Sequence, residues 1–302
     1  MVVTIKSRIK IKKIFYLFAA TVVLAAVGCS KDDAAQEEVK YVSEIKIGFE
    51  GDTRVTAEQI ASGLKFSFED GEEIWLNEYN PDRIGINYYY VYDASSKTFK
   101  AKDETYKLQA GKKYFAMAGS YMSIPVKAVD GKIVTYPKLG SEAEISDIPM
   151  ISDVFTASAD GTIATMHHLV GVVEVPATLD ESSTVETLYR LGLGGVSGLS
   201  GEFTAIPEAP YFQQISLGYD KTMSDVLNVK LSKTTATSIF IPVLPGTYST
   251  ADLTLNRLYY PVGSSDTTAG GRTLSTYDGA KETLVVERGK ITKITECALT
   301  LN

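Results

Sequence analysis

In Val42-Ser43-Glu44-Ile45-Lys46-Ile47-Gly48-Phe49, Ile45, Ile47 and Phe49 alternate with Glu44, Lys46 and Gly48. A period of two is the spacing of a strand with one buried face. Strand patterns recur over Leu64–Phe68, Ile84–Tyr92, Lys112–Gly119, Ser123–Val129 and Lys132–Tyr136. Turn formers separate them: Asp70-Gly71, Asn80-Pro81 and Asp130-Gly131. The last lies between two short β-branched runs and predicts a hairpin. Thr53–Ile60 is expected to hold one helical turn. A fresh apolar strand is predicted over Met166–Val175, followed by Leu188–Leu193, Glu202–Ile206, Gln214–Leu217, Val226–Leu231, Ile239–Leu244, Thr254–Tyr259, Thr283–Val286 and Ile291–Leu301. Helix-period stretches are almost absent, so the pattern predicts an all-β chain of two tandem antiparallel β-sandwich domains. Their expected spans are 41–163 and 164–302. Pro261–Lys281, rich in Gly, Ser and Thr, reads as a long exposed loop.

Before Val42 the pattern changes. Lys6, Arg8, Lys10, Lys12 and Lys13 precede an apolar run from Ile14 to Val27, and small residues lead to Cys29. A basic stretch, a short apolar core and a small-residue exit make residues 1–28 a secretory signal peptide. The apolar run is shorter than the roughly 20 residues that a spanning helix needs. Ala26-Val27-Gly28-Cys29 resembles a bacterial lipobox, with Ala26 in the place usual for leucine. It implies cleavage before Cys29 and acylation of its sulfur. Two acyl chains give stable anchoring, at about 0.8 kcal/mol per buried CH₂. Ser30, Lys31, Asp32 and Asp33 resemble the acidic export tag of Bacteroidetes surface lipoproteins. Residues 29–40 read as a flexible charged tether.

Removing residues 1–28 removes five basic residues and no acids, leaving 274 residues with 25 basic against 37 acidic side chains. A net of −12 repels nucleic acid and anionic headgroups, so membrane attachment falls to the lipid alone. With Cys29 acylated, Cys297 has no cysteine to pair with, which excludes an intramolecular disulfide framework.

Candidate chemistry is sparse. The two histidines, His167 and His168, point to opposite faces of one strand and cannot chelate one metal together. Glu69, Asp70, Glu72 and Glu73 flank a turn, where solvated acids are common. No G-x-S-x-G, H-E-x-x-H or P-loop occurs. Gly192-Leu193-Gly194-Gly195-Val196-Ser197-Gly198 lacks the lysine and helix of a phosphate cradle, and suits close backbone approach in a sheet. No catalysis, cofactor or metal is predicted. Ile84, Ile86, Tyr88, Tyr90 and Tyr92 share one strand face and read as core. Tyr89, on the opposite face, and the lone Trp75 are the candidates for ligand contact, since aromatic faces stack on the C–H surfaces of sugars. Asp266-Thr267-Thr268 resembles an O-glycosylation acceptor, with Thr267 the candidate residue.

Three segments together carry a family resemblance. Met166-His167-His168-Leu169-Val170-Gly171-Val172-Val173-Glu174-Val175 resembles the strand that opens the C-terminal domain of fimbrillin-family proteins. Ile239-Phe240-Ile241-Pro242-Val243-Leu244-Pro245-Gly246-Thr247-Tyr248 is similar to their P-x-x-P-G-x-Y segment, and Asp82-Arg83-Ile84-Gly85-Ile86 to a strand of their N-terminal domain. The resemblance implies two transthyretin-like β-sandwiches, export as a lipoprotein to the outer membrane, and a structural or adhesive role in surface pili. It also implies partner subunits joined by β-strand addition, after an Arg-directed protease removes the first strand. Here Val42–Phe49 is the strand to leave and Arg54 the candidate processing site. The C-terminal run, in which Cys297, Leu299 and Leu301 alternate with polar or small residues, is the candidate donor. A different class of function, a surface glycan-binding lipoprotein of a polysaccharide-uptake system, would rest on Trp75 and Tyr89.

Overall fold

The computed structural model describes residues 39–49, 55–60, 63–66, 68–82, 86–119, 122, 125–127, 130–139, 148–215 and 226–302. Among these, every regular element is a strand except the 3-10 turn Leu274–Thr276. The fold is all-β, as the alternation predicts.

An eight-stranded sheet dominates the first half. Its order is Met150–Ser152, Ile163–His168, Glu44–Phe49, Thr98–Ala101, Asn87–Asp93, Glu73–Glu78, Lys113–Ala118 and Phe155–Thr156. Met150–Ser152 also pairs with Lys113–Ala118, so the sheet closes on itself. Closure removes edges that would otherwise invite pairing with other chains. One face carries Ile45, Ile74, Leu76, Tyr90, Phe99 and Ala116, each at most 1% exposed. Full burial of each large apolar side chain contributes about 1.5–3 kcal/mol. Phe68 joins them edge-on to Phe99, with ring centroids 4.7 Å apart. Tyr90 brings a hydroxyl into this core, where it donates to Val42 O and accepts from Leu108 N–H.

Three sequence expectations change here. The helical turn expected within Thr53–Ile60 gives way to a strand, Val55–Ile60, paired antiparallel with Gly63–Phe66. A hairpin satisfies backbone groups that a single helical turn leaves open. The single strand expected over Met166–Val175 divides into Ile163–His168 and Gly171–Leu179, with a bend at Leu169-Val170. The first piece pairs with Glu44–Phe49 and the second with Thr237–Val243. The loop expected over Pro261–Lys281 is a turn followed by the strand Thr268–Thr273, paired with Thr254–Tyr259, and then the 3-10 turn. Leu274 and Tyr277 anchor it at 3% and 6% exposure. The Asp130-Gly131 hairpin forms as predicted, pairing Val126–Lys127 with Ile133–Val134.

A second hydrophobic core draws its residues from between Val173 and Leu301, while Phe203, Ala205, Tyr211 and Leu244 from the same stretch pack into the first. The changeover falls within Gly171–Leu179. Val172 packs into the first core, whereas Val173, Val175, Ala177 and Leu179 pack into the second. Thr237–Val243 lies at the edge of its sheet, so Pro242 loses no ladder hydrogen bond on its open side. Beyond Pro245-Gly246, the Tyr248 hydroxyl donates to Leu244 O at 2.7 Å and to Gly198 O at 2.9 Å, tying the turn to the glycine-rich segment. Gly195 in that segment has φ +89°, and a Cβ there would stand 2.3 Å from Asp252 O. The glycine allows the close approach that the sequence suggests.

Candidate functional site

Trp75 and Tyr89 are direct cross-strand partners on Glu73–Glu78 and Asn87–Asp93. Their rings meet at 72° with centroids 6.4 Å apart, forming an aromatic notch. Tyr89 is 40% exposed. Beside it, Lys102 forms an ion pair with Glu73, and the Lys102 N–H donates to Tyr89 O at 2.9 Å. The notch ends a row that crosses five strands on one face: His167, Ile151, Met117, Trp75 and Tyr89. His167, Ile151 and Met117 are buried, so exposure rises along the row toward Tyr89. Apolar ring faces beside a charged pair suit a ligand with both C–H surface and hydroxyls, such as a pyranose.

The covered end of the row is held by residues from the second half of the chain. Tyr211 stacks on His167 with centroids 3.9 Å apart and planes 15° apart. Its hydroxyl donates to Asp153, whose other carboxylate oxygen lies 3.0 Å from His167 Nε2. Arg288 lies over the Tyr211 ring, 4.9 Å from its centroid, and donates to His168 O at 3.1 Å. Tyr79 donates to Glu208 Oε1 at 2.7 Å on the same segment. This cluster was not visible in the sequence. Pro207 and Pro210 mark a turn, but nothing in the pattern says which sheet the turn meets.

The histidines divide as alternation predicts. His167 lies in the row just described, and His168 stacks on Phe49 across the other face, with centroids 6.3 Å apart. Among the described residues no cluster of metal ligands occurs. The acids of the turn are taken up by backbone: Glu72 accepts from Glu69 N–H and Asp70 from Ala94 N–H of a neighbouring turn. Burial holds the Glu72 carboxyl above its ordinary pKa.

Cys297, Leu299 and Leu301 are at most 1% exposed and pack in the second core of their own chain. Cys297–Leu299 pairs in parallel with Gly171–Leu179. Thr267 is exposed and precedes the strand Thr268–Thr273. Cys29, Ser30, Lys31, Asp32, Asp33 and Arg54 lie outside the described residues.

The sequence matches no protein-family model and no curated protein. Solved structures resemble it at low identity. A candidate cell adhesion protein from Bacteroides uniformis aligns over 83% of this chain and 91% of its own, at 14% identity and a TM-score of 0.49. One from Bacteroides ovatus aligns over 87% of this chain and 100% of its own, at 10% identity and a TM-score of 0.49. A fimbrial protein from Bacteroides ovatus aligns over 86% of this chain and 51% of its own, at 13% identity and a TM-score of 0.34.

Proposed function

We propose that this chain is a non-enzymatic structural and adhesive subunit of a surface fimbria. It is exported to the outer membrane as a lipoprotein through Cys29 and joined to its neighbours by β-strand addition. The observation that carries the proposal is the place of Glu44–Phe49. This strand is N-terminal, yet it lies inside the closed sheet. It pairs in parallel with Ile163–His168 over four residues and antiparallel with Thr98–Ala101 over two. Ile45 is 1% exposed. Cleavage at Arg54 would separate this strand from the chain that follows. Its departure would leave unpaired backbone on both sides of an apolar slot, which is a template for an incoming strand. The C-terminal run is the proposed donor. Cys297–Leu299 pairs along one side only among the described residues, and its alternating Cys297, Leu299 and Leu301 would offer apolar side chains to one face of such a slot.

Arg54→Ala tests the assembly step. SDS-resistant ladders in the outer-membrane fraction should disappear while the monomer accumulates. Ladders of parental intensity from Arg54→Ala would refute processing at this site. Cys29→Ala should abolish fatty-acid labelling, and labelling that persists would refute the lipid anchor. Replacing Lys31, Asp32 and Asp33 with alanine should lower protease shaving of intact cells without lowering total protein.

A second reading, a surface glycan-binding lipoprotein, is favoured by the juxtaposition of Trp75 and Tyr89 beside the Glu73–Lys102 ion pair. A carbohydrate array probed with the parent and with Trp75→Ala separates the two. Binding that is specific and lost in the variant supports the glycan reading, and absence of specific binding removes it.

A further inference from the structure

A cavity of about 320 Å³ opens where one hairpin divides between two sheets. Thr283–Val286 pairs with Gly246–Ser249, whereas Ile291–Lys293 pairs with Gly171–Leu179. The strands therefore splay away from their turn at Glu287–Lys290, bridged near it by Thr292 Oγ1 donating to Val285 O at 2.8 Å. Small side chains at Ala280, Thr283 and Thr295 leave the wedge between them unfilled. Its volume falls within the roughly 300–1,000 Å³ of small-molecule sites.

The wall has a distinct chemistry. Leu274, Leu284, Tyr277 and Cys297 make it apolar, and all four are buried. The Tyr277 hydroxyl has no hydrogen-bond partner, so one buried donor stays unmet. Burial pushes both Tyr277 and Cys297 up to about 12. Both are neutral at physiological pH, and the interior carries no anion. The Arg272 guanidinium lies 4.4 Å from the Tyr277 ring centroid. Two lysines also line the cavity. Lys293 is committed to Glu174 at 2.9 Å, but Lys281 enters no ion pair among the described residues.

We propose that this cavity is a binding site for a small amphipathic acid, an aromatic or branched apolar body bearing one carboxylate. The apolar body fills the wedge against Leu274, Leu284 and Cys297. The carboxylate meets Lys281, and the field of Arg272 favours the same charge. The second carboxylate oxygen supplies the partner that Tyr277 lacks. The site goes beyond the proposed fimbrial role: no wall residue belongs to the Trp75–Tyr89 notch or to the strand Glu44–Phe49, and Cys297, which the proposed donor run shares, lines the cavity while that run stays in its own chain, so the test uses the unassembled full chain.

The test is displacement of anilinonaphthalene sulfonate, an aromatic anion whose emission rises on entering an apolar site. Saturable one-to-one binding to the full chain is expected. Phenylacetate should displace the probe at least tenfold more effectively than phenylethanol, which has a similar body without the charge. Lys281→Glu should weaken phenylacetate at least tenfold and leave phenylethanol unchanged. Ala280→Phe, which fills the wedge, should abolish binding of both. Equal displacement by acid and alcohol in the parent would overturn recognition of the carboxylate. Lack of saturable binding, or binding unchanged in a folded Ala280→Phe protein, would overturn the site itself. If Ala280→Phe does not fold, the exposed Lys281 still decides the matter. Retention of the acid preference in Lys281→Glu would refute the proposal.

Discussion

Tyr211 and His167 stack at 3.9 Å between centroids, although they come from separate halves of the chain. The contact fastens the turn before Phe212–Ile215 to a strand of the closed sheet. It also fixes the end of the row on which Trp75 and Tyr89 lie. Tyr211→Ala should destabilise the protein by about 3 kcal/mol, from lost ring burial and stacking. Tyr211→Phe removes only the hydrogen bond to Asp153 and should cost about 1 kcal/mol. Urea unfolding of the two variants checks both the order and the size of the effects.

Gly195→Ala should be more harmful than an ordinary glycine replacement. The position combines φ +89° with an approach of 2.3 Å between a built Cβ and Asp252 O, so neither the backbone nor the space admits a side chain. A loss of about 2–3 kcal/mol is expected, read as a lower midpoint in thermal or urea unfolding. Gly131, in the exposed Asp130-Gly131 turn, has nothing within 4 Å of a built Cβ and serves as the control for backbone strain alone.

Alkaline stability should fall in a defined window. Burial raises Tyr90, Tyr114, Tyr248 and Tyr277 to about 12, and Cys297 likewise. In the unfolded chain the tyrosines ionise near 10 and the thiol lower. Above those values the unfolded state binds fewer protons than the folded one, so stability declines as pH rises toward 12. Below about pH 8 the contribution is fully present. Tyrosinate absorbance and circular dichroism followed together should show these four tyrosines ionising with unfolding. Their full titration while the fold persists would contradict the burial.

Trp75 is the sole tryptophan, so its fluorescence reports on the notch without labelling. A glycan that occupies the notch should change that emission, with Tyr89→Ala abolishing the change. Tyr89 is 40% exposed, and its removal should cost less than about 1.5 kcal/mol of stability. Thermal melts of Tyr89→Ala would separate lost binding from lost folding.

Alternation by itself determined which side chains of many strands face inward. Ile45 and Tyr90 obey the period-two rule, and so does the division of His167 from His168. Such positions depend only on neighbours in the same strand, and each side chain's burial follows from the pleat. Short-range turn chemistry was legible for the same reason, as at Asp130-Gly131. Which strands meet is another matter. The parallel pairing of Glu44–Phe49 with Ile163–His168, the closure of the first sheet through Met150–Ser152, and the stacking of Tyr211 on His167 join residues far apart in sequence. Backbone hydrogen bonds are nearly identical for every strand pair, so local pattern carries little information about partners. The sequence also read Pro261–Lys281 as a loop, because Gly270 and Gly271 have no side chain to alternate. Pairing with Thr254–Tyr259 made that run a strand, and the glycines leave room for Arg257 and Asn256 to lie against it. Trp75 and Tyr89 could be named from sequence as exposed aromatics, but only the register of two paired strands set one ring against the other.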